Sequence, residues 1–230
     1  MRIVKTRRGV RLVEGDVILS EVLARPGPTH TLFDVLAACV AALAPGPRVG
    51  MLGFAAGGMV APLRAMGFAT PLEAVDLDSE GVKVFRDLSQ DWAGRVRVAR
   101  MDAVEWLRGQ APFDLIVEDL SVPSPAGTIK PYVSFDPLPD LVRDRLRPGG
   151  VAVTNLLPLP GTPWPSLLAR VAHPHGRATV LELDEYENRF VLAGAGMPDT
   201  KEASRKIRSA LAAIGSDQAR KIRLRTLFRG

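Results

Sequence analysis

Apolar and polar residues alternate on both sides of Glu14-Gly15-Asp16 in GVRLVEGDVILS. That period-two pattern predicts two half-buried strands joined by a tight turn, a β-hairpin. The period then changes. After the rigid ARPGPT break, Leu32, Val35, Leu36, Cys39, Val40 and Leu43 fall on one face of a helix. Thr29 can cap it, and it runs to about Ala44. From Arg48 onward, strand and helix patterns take turns. RVGMLG, LEAVDLD, RVRVARMD, FDLIVEDL and GGVAVTNLL read as buried strands. Between them come a helix opened by Gly57-Gly58, SEGVKVFRDL capped by Ser79, AVEWLRG and DPLPDLVRDRL. Such alternation specifies a doubly wound α/β fold, a mostly parallel sheet with helices on both faces.

Past this body, TPWPSLLARVA reads as a helix, and RATVLELDE and NRFVLAGA as two strands closing an antiparallel edge. The tail reads as two basic amphipathic helices, KEASRKIRSALAAIG and QARKIRLRTLF, around Gly215-Ser216. The expected organisation is a hairpin unit over 1–28, an α/β body over 29–198 and a basic helical tail over 199–230.

Composition narrows the class. The chain has 230 residues, 47% hydrophobic and 24% charged, the balance of a folded globular protein. A single cysteine, Cys39, excludes an internal disulfide and a Cys-rich metal site, and three histidines give little scope for zinc. No apolar run reaches the roughly 18 residues of a membrane span, and no apolar segment follows the basic N-terminus as a secretory signal requires. The expected setting is the cytoplasm, without a membrane partner. Net charge is +5, but residues 1–8 carry +4 and residues 201–230 carry +7, which leaves −6 for 9–200. An acidic body suits a cationic ligand better than nucleic acid.

The candidate chemistry sits at the ends of the strands. Gly53, Ala55, Gly57 and Gly58 form a small-residue turn from strand to helix, where the backbone can approach a ligand and free N–H groups are available. Asp76 ends the next strand, where a carboxylate can accept both hydroxyls of a ribose. Asp78 follows as a helix-start acid. Asp102 ends the third strand and can accept from an adenine amine, cap the next helix, or do both. Glu118 and Asp119 end the fourth strand and point to opposite faces. The Pro/Ser-rich stretch from Ser121 to about Tyr132 has the length of a lid. Trp164 lies after the fifth strand, near the expected acceptor side.

The order GFAAGG, AVDLD, MDAVEWL, FDLIVEDLSVP and LRPGGVAVTN resembles the class I S-adenosylmethionine-dependent methyltransferases, a Rossmann-like fold. The N-terminal hairpin and the late NRFVLAG strand make residues 9–195 more similar to the spermidine synthases, the polyamine aminopropyltransferases. The resemblance implies that Gly53, Ala55 and Gly57 form the nucleotide loop, Asp76 holds the ribose, and Asp102 with Ala103 holds the adenine. It makes Asp119 the first acid of the family's D-x-x-D-P gate. It also implies S-adenosylmethionine or its decarboxylated form as cofactor, a small-molecule acceptor such as an amine, and a homodimer. The chain also departs from the family: Ala55 replaces the loop's usual middle glycine and Met101 the glycine before Asp102, and three further departures touch the chemistry. The second gate acid falls on Val122, the hairpin glutamine on Leu19, and the Tyr-His-Glu triplet reads Thr29-His30-Thr31. Valine can neither take a proton nor pair with an ammonium.

The leading expectation is a nucleoside-binding transferase moving a methyl or aminopropyl group. Asp119 would orient or deprotonate the acceptor, and Glu118 or His30 would assist. Two alternatives stay open. One is a non-catalytic nucleoside-binding homologue. The other is a nucleic-acid methyltransferase using the basic residues from Arg205 to Arg225, although the tail's only ring is Phe228.

Overall fold

The structure, a computed structural model, describes residues 2–15, 17–124 and 127–228. A three-stranded antiparallel sheet comes first, β1 (Arg2–Lys5), β2 (Gly9–Glu14) and β3 (Val17–Leu23). The hairpin is where the alternation predicts it, with Asp16 of its turn outside the described residues; β1 adds a strand the pattern did not signal. Helix α1 (Leu32–Leu43) leads into β4 (Val49–Leu52), α2 (Val60–Ala65), β5 (Leu72–Asp76), α3 (Glu80–Ser89), β6 (Val96–Arg100), α4 (Ala103–Arg108) and β7 (Phe113–Glu118). A small antiparallel flap follows, β8 (Val122–Ser124) and β9 (Gly127–Ile129), whose connecting Pro125 and Ala126 lie outside the described residues. The chain ends with α5 (Leu138–Asp144), β10 (Leu146–Leu156), α6 (Trp164–Ala172), β11 (Ala178–Leu183), β12 (Arg189–Ala193), α7 (Thr200–Ala213) and β13 (Ile222–Phe228).

The central sheet has the order β13-β11-β12-β10-β7-β4-β5-β6. Strands β10, β7, β4, β5 and β6 run parallel, and β11, β12 and β13 extend the sheet antiparallel. Alternate residues of one strand feed opposite faces. Leu115 and Val117 of β7 join a core shared with α1, α2, α3 and α7, while Ile116 between them joins one shared with α4 and α5. Helix α6 covers the β11–β12 end through Leu167, Leu168 and Val171. The aromatic pairs Trp92–Phe85 and Trp106–Phe113 belong to this packing, and Cys39 is fully buried in α1, where burial pushes its thiol far up and leaves it unreactive.

Three local expectations change. The cap of α1 is Thr31, whose hydroxyl accepts from the Phe33 N–H; Thr29 donates its N–H and hydroxyl to buried Asp34, each at 2.7 Å. Ser79 makes no side-chain cap, and Asp78 Oδ1 accepts from the Glu80 N–H instead. In the tail, α7 forms as predicted, but the second basic helix is a strand. IRLRTLF alternates Ile222 and Leu224 with Arg223 and Arg225, so it also fits a period of two, and the open edge of β11 decides between them. Cross-strand charge pairs favour the same choice: Arg225 with Glu182 at 3.4 Å, Arg223 with Asp184 at 2.7 Å and Lys221 with Glu185 at 2.8 Å.

Candidate functional site

The parallel strands β4, β5, β6 and β7 all end on one side of the sheet, where doubly wound folds hold their ligands. A cavity of about 620 Å³ opens there, roofed by β3 and the flap. Pockets of small organic ligands span about 300–1,000 Å³. Five carboxylates line it, Glu14, Asp76, Asp78, Asp102 and Asp119, and among the described residues no Lys, Arg or His does.

The floor is the turn after β4. Gly53 has φ +83, and a Cβ there would stand 2.7 Å from the Asp119 carbonyl oxygen. The turn therefore lies directly against the β7 end only because residue 53 has no side chain. Gly53→Ala combines a left-handed backbone with a backbone clash, and a loss of about 2 kcal/mol or more in stability is expected, read from the denaturant midpoint. Ala55 also takes positive φ, +48, where the resembled family has glycine. Asp76 holds it there. Its Oδ2 accepts from the Phe54 and Ala55 N–H groups at 2.7 and 2.6 Å, and its Oδ1 from the Asp78 N–H at 2.9 Å. A carboxylate has about four acceptor sites, so about one remains, on Oδ1. Asp76 can thus take one ribose hydroxyl with the turn intact, not both, and neighbouring Asp78 lines the same rim. Gly57 does not line the cavity; a Cβ there would strike the Phe54 ring at 2.5 Å, so its smallness serves the turn's own packing.

Asp102 and Ala103 line the wall next to Met101. Asp102 Oδ1 caps α4, accepting from Val104 and Glu105 N–H groups at 2.9 and 3.1 Å. Leu77 and Met101, 68% and 38% exposed, present apolar side chains beside these acids. Both line the cavity, where they can flank a flat apolar ligand. Ser20 is buried on the opposite wall, and its hydroxyl has no partner in the protein.

Asp119 sits at the centre, and its carboxyl is pushed up to about 6. Removal from water is the largest cause; the Lys130 ammonium and a hydrogen bond from Asn155 oppose it, and the negative charges of Glu118 and Asp76 add to it. Asn155 Nδ2 donates to Asp119 Oδ1 at 2.7 Å, and Asn188 Nδ2 donates to Asn155 Oδ1 at 2.9 Å. All three line the cavity. The two asparagines were missed from sequence. Each carries a faint signal, a polar residue at the end of an apolar strand, as Asp76 and Asp119 do.

Two expected site residues lie elsewhere. Glu118 faces away from the cavity, because adjacent strand residues point oppositely. Its Oε1 accepts from Lys130 Nζ at 2.8 Å, Ser134 Oγ at 3.0 Å and the Leu120 N–H at 2.9 Å, a buried structural cluster. His30, at φ +62, is a joint to the tail: its carbonyl accepts from Gln218 Nε2, and its ring lies 3.5 Å from Asp217. The turn ahead of α1 holds it there through Asp34, which also takes the Ser216 hydroxyl at 2.6 Å. Trp164 packs under Arg189, 4.4 Å from its guanidinium, and does not line the cavity. Leu19 and Val122 do line it, so both departures put hydrocarbon on its walls.

No protein-family model matches the sequence, and no curated protein matches it. Solved structures do match. A probable spermidine synthase from Corynebacterium glutamicum superposes with TM-score 0.70 at 16% identity, over 97% of this chain and 85% of that one. The spermidine synthase of Thermotoga maritima gives 0.62 at 15% identity, over 85% and 69%. Human methyltransferase-like protein 13, solved with S-adenosylhomocysteine, gives 0.61 at 16% identity, over 80% and 90%. The chain has the class I S-adenosylmethionine-dependent methyltransferase fold. Within it, the architecture is spermidine synthase-like, with the N-terminal hairpin joined to the Rossmann-like body.

Proposed function

We propose that the protein binds a sulfonium nucleoside, S-adenosylmethionine or its decarboxylated form, and transfers one alkyl group from it to a small-molecule acceptor. The observation that carries this is the cavity's charge: among the described residues, five lining carboxylates and no lining cation at the strand ends of a methyltransferase fold. A cationic ligand is attracted there and an anionic one repelled. The same observation favours the decarboxylated form, since among the described residues no cationic side chain lines the cavity to pair a methionine carboxylate.

The residues present fit such a ligand. Asp76 Oδ1 and Asp78 would take the ribose hydroxyls, Asp102 the adenine amine, and Leu77 and Met101 the faces of the base. When bound, the sulfonium supplies an electrophilic carbon and a neutral thioether as leaving group. The chain's task is orientation and proton removal. Asp119 accepts the proton of the attacking group, and Asn155, braced by Asn188, holds its carboxylate in place.

The nucleic-acid alternative weakens, since Lys221, Arg223 and Arg225 of the tail are already paired with acids. Among the described residues no helix is long and apolar enough to cross a membrane.

The deciding experiment is calorimetric binding of S-adenosylmethionine, its decarboxylated form, methylthioadenosine and S-adenosylhomocysteine, beside Asp76→Ala. A ligand at 100 times its Kd should stabilise the fold by about 2.7 kcal/mol and raise Tm by roughly 5–10 °C. Asp76→Ala should abolish that rise. Silence from all four ligands would refute the transferase reading.

A further inference from the structure

We propose that the acceptor is an amine with one cationic head on an apolar body, and that polyamines are poor ligands. This rests on the transferase reading of the cavity. Beyond Asp119, away from the β4 and β5 turns, the cavity is bounded by β3, the flap and the ends of β10 and β12. Ile18, Leu19, Val122, Pro123 and Leu157 form the apolar walls of that region. Its polar centre is a single unit. Asn155 donates one N–H to Asp119 and its carbonyl accepts one from Asn188; both asparagines are neutral, so the trio offers one anionic acceptor. The hydroxyls of Ser20, Ser121 and Thr128 are neutral. Among the described residues the other carboxylate on this side is Glu14, at the turn end of β2.

An amine head can therefore pair with Asp119 while its hydrocarbon lies against Leu19 and Val122. A second ammonium lying along Leu19, Val122 and Pro123 would meet hydrocarbon and neutral hydroxyls rather than a carboxylate, unless it reached Glu14 at the hairpin end, and that is costly. Among the described residues no cation lines the cavity, so an acidic acceptor is disfavoured as well.

The test titrates the full chain with butylamine, hexylamine and octylamine, and with putrescine and 1,8-diaminooctane, by calorimetry at pH 8. It is run without nucleoside and again with methylthioadenosine. Affinity should rise about fourfold per methylene along the monoamines. Octylamine should bind at least tenfold tighter than 1,8-diaminooctane, because one end of the diamine is left unpaired. Asp119→Asn should weaken every amine, and Glu14→Gln should leave the order unchanged. Val122→Asp, at a position 38% exposed and so tolerant of change, should reverse the order in favour of diamines. A flat length series overturns the proposal, as does a diamine that matches its monoamine or a diamine affinity that collapses in Glu14→Gln. The arms without nucleoside read out even if no nucleoside binds. Failure of the transferase reading is thus distinguishable from diamine preference in a nucleoside-binding protein, which sinks this proposal alone.

Discussion

Asp119→Asn is expected to lower transfer by about 10²–10⁴-fold, the usual contribution of a positioned general base. The side chain keeps its shape and can still accept from Asn155, but it can no longer take a proton. In the native protein the base form is the carboxylate, and its carboxyl lies at about 6. The rate should therefore climb with pH through about 6 and level off above about 7. The variant's residual rate should be flat across that window. Release of methylthioadenosine or S-adenosylhomocysteine measures both. A variant with native rate, or a native profile without the rise near 6, would remove Asp119 from the chemistry.

The same carboxyl makes a stability prediction of opposite sense. Its pKa is raised in the fold, so the protonated form is the one the folded state prefers. Stability from this group is fully present below the unfolded value near 3.9 and is lost as pH rises through about 6. Asp119→Asn removes that loss. The variant should melt at or above the native Tm at pH 8, with the gain vanishing below about pH 4. Lost turnover with undiminished stability separates a chemical role from a structural one, and marks a site held ready at the fold's expense.

Lys130→Met is expected to cost about 3–5 kcal/mol, the range for breaking one partner out of a buried ion pair. Lys130 and Glu118 have side chains only 1% and 3% exposed and meet at 2.8 Å. Without the ammonium, the Glu118 carboxylate keeps only neutral donors, the Leu120 N–H and the Ser134 hydroxyl. Its Oε2 already has no partner. For a chain of this size Tm should fall by roughly 10 °C. Adding Glu118→Gln removes the stranded charge while keeping an acceptor, so the double variant should recover part of the loss. A single variant within about 1 kcal/mol of native would contradict the assignment. The pair also serves the cavity. Lys130 Nζ donates to the Leu120 carbonyl at 2.7 Å, tying together the two ends of the flap that carries Val122. The substitution should loosen the roof and weaken ligand binding beyond its effect on Tm.

The hairpin, the alternation of strand and helix, and the carboxylates at the strand ends were legible because each depends on short-range pattern: side-chain period, turn chemistry, and where an apolar run stops. Opposite faces for Glu118 and Asp119 follow from the same local geometry. Which of the two faces the cavity does not, because that depends on which layer covers each face of the sheet. The pairing of Asn155 and Asn188 with Asp119 was not legible for a related reason. Their value lies in contacts across 36 and 33 residues of chain, which no local pattern encodes. His30 shows the converse: its sequence position beside the hairpin suggested chemistry, and tertiary packing turned it toward the tail.

The tail marks the boundary most clearly. IRLRTLF supports a basic helix face and a strand equally well, and composition weighs toward neither. Its outcome was settled by an unpaired edge on β11 and by acids at Glu182, Asp184 and Glu185 placed to receive its cations. Sequence alone thus determined the doubly wound body and the strand ends that carry its acids, since backbone periodicity and turn preference act over a few residues. Tertiary structure alone decided which acid faces the cavity, which is buried in an ion pair and what covers the last strand, since burial and pairing energies depend on neighbours distant in the chain.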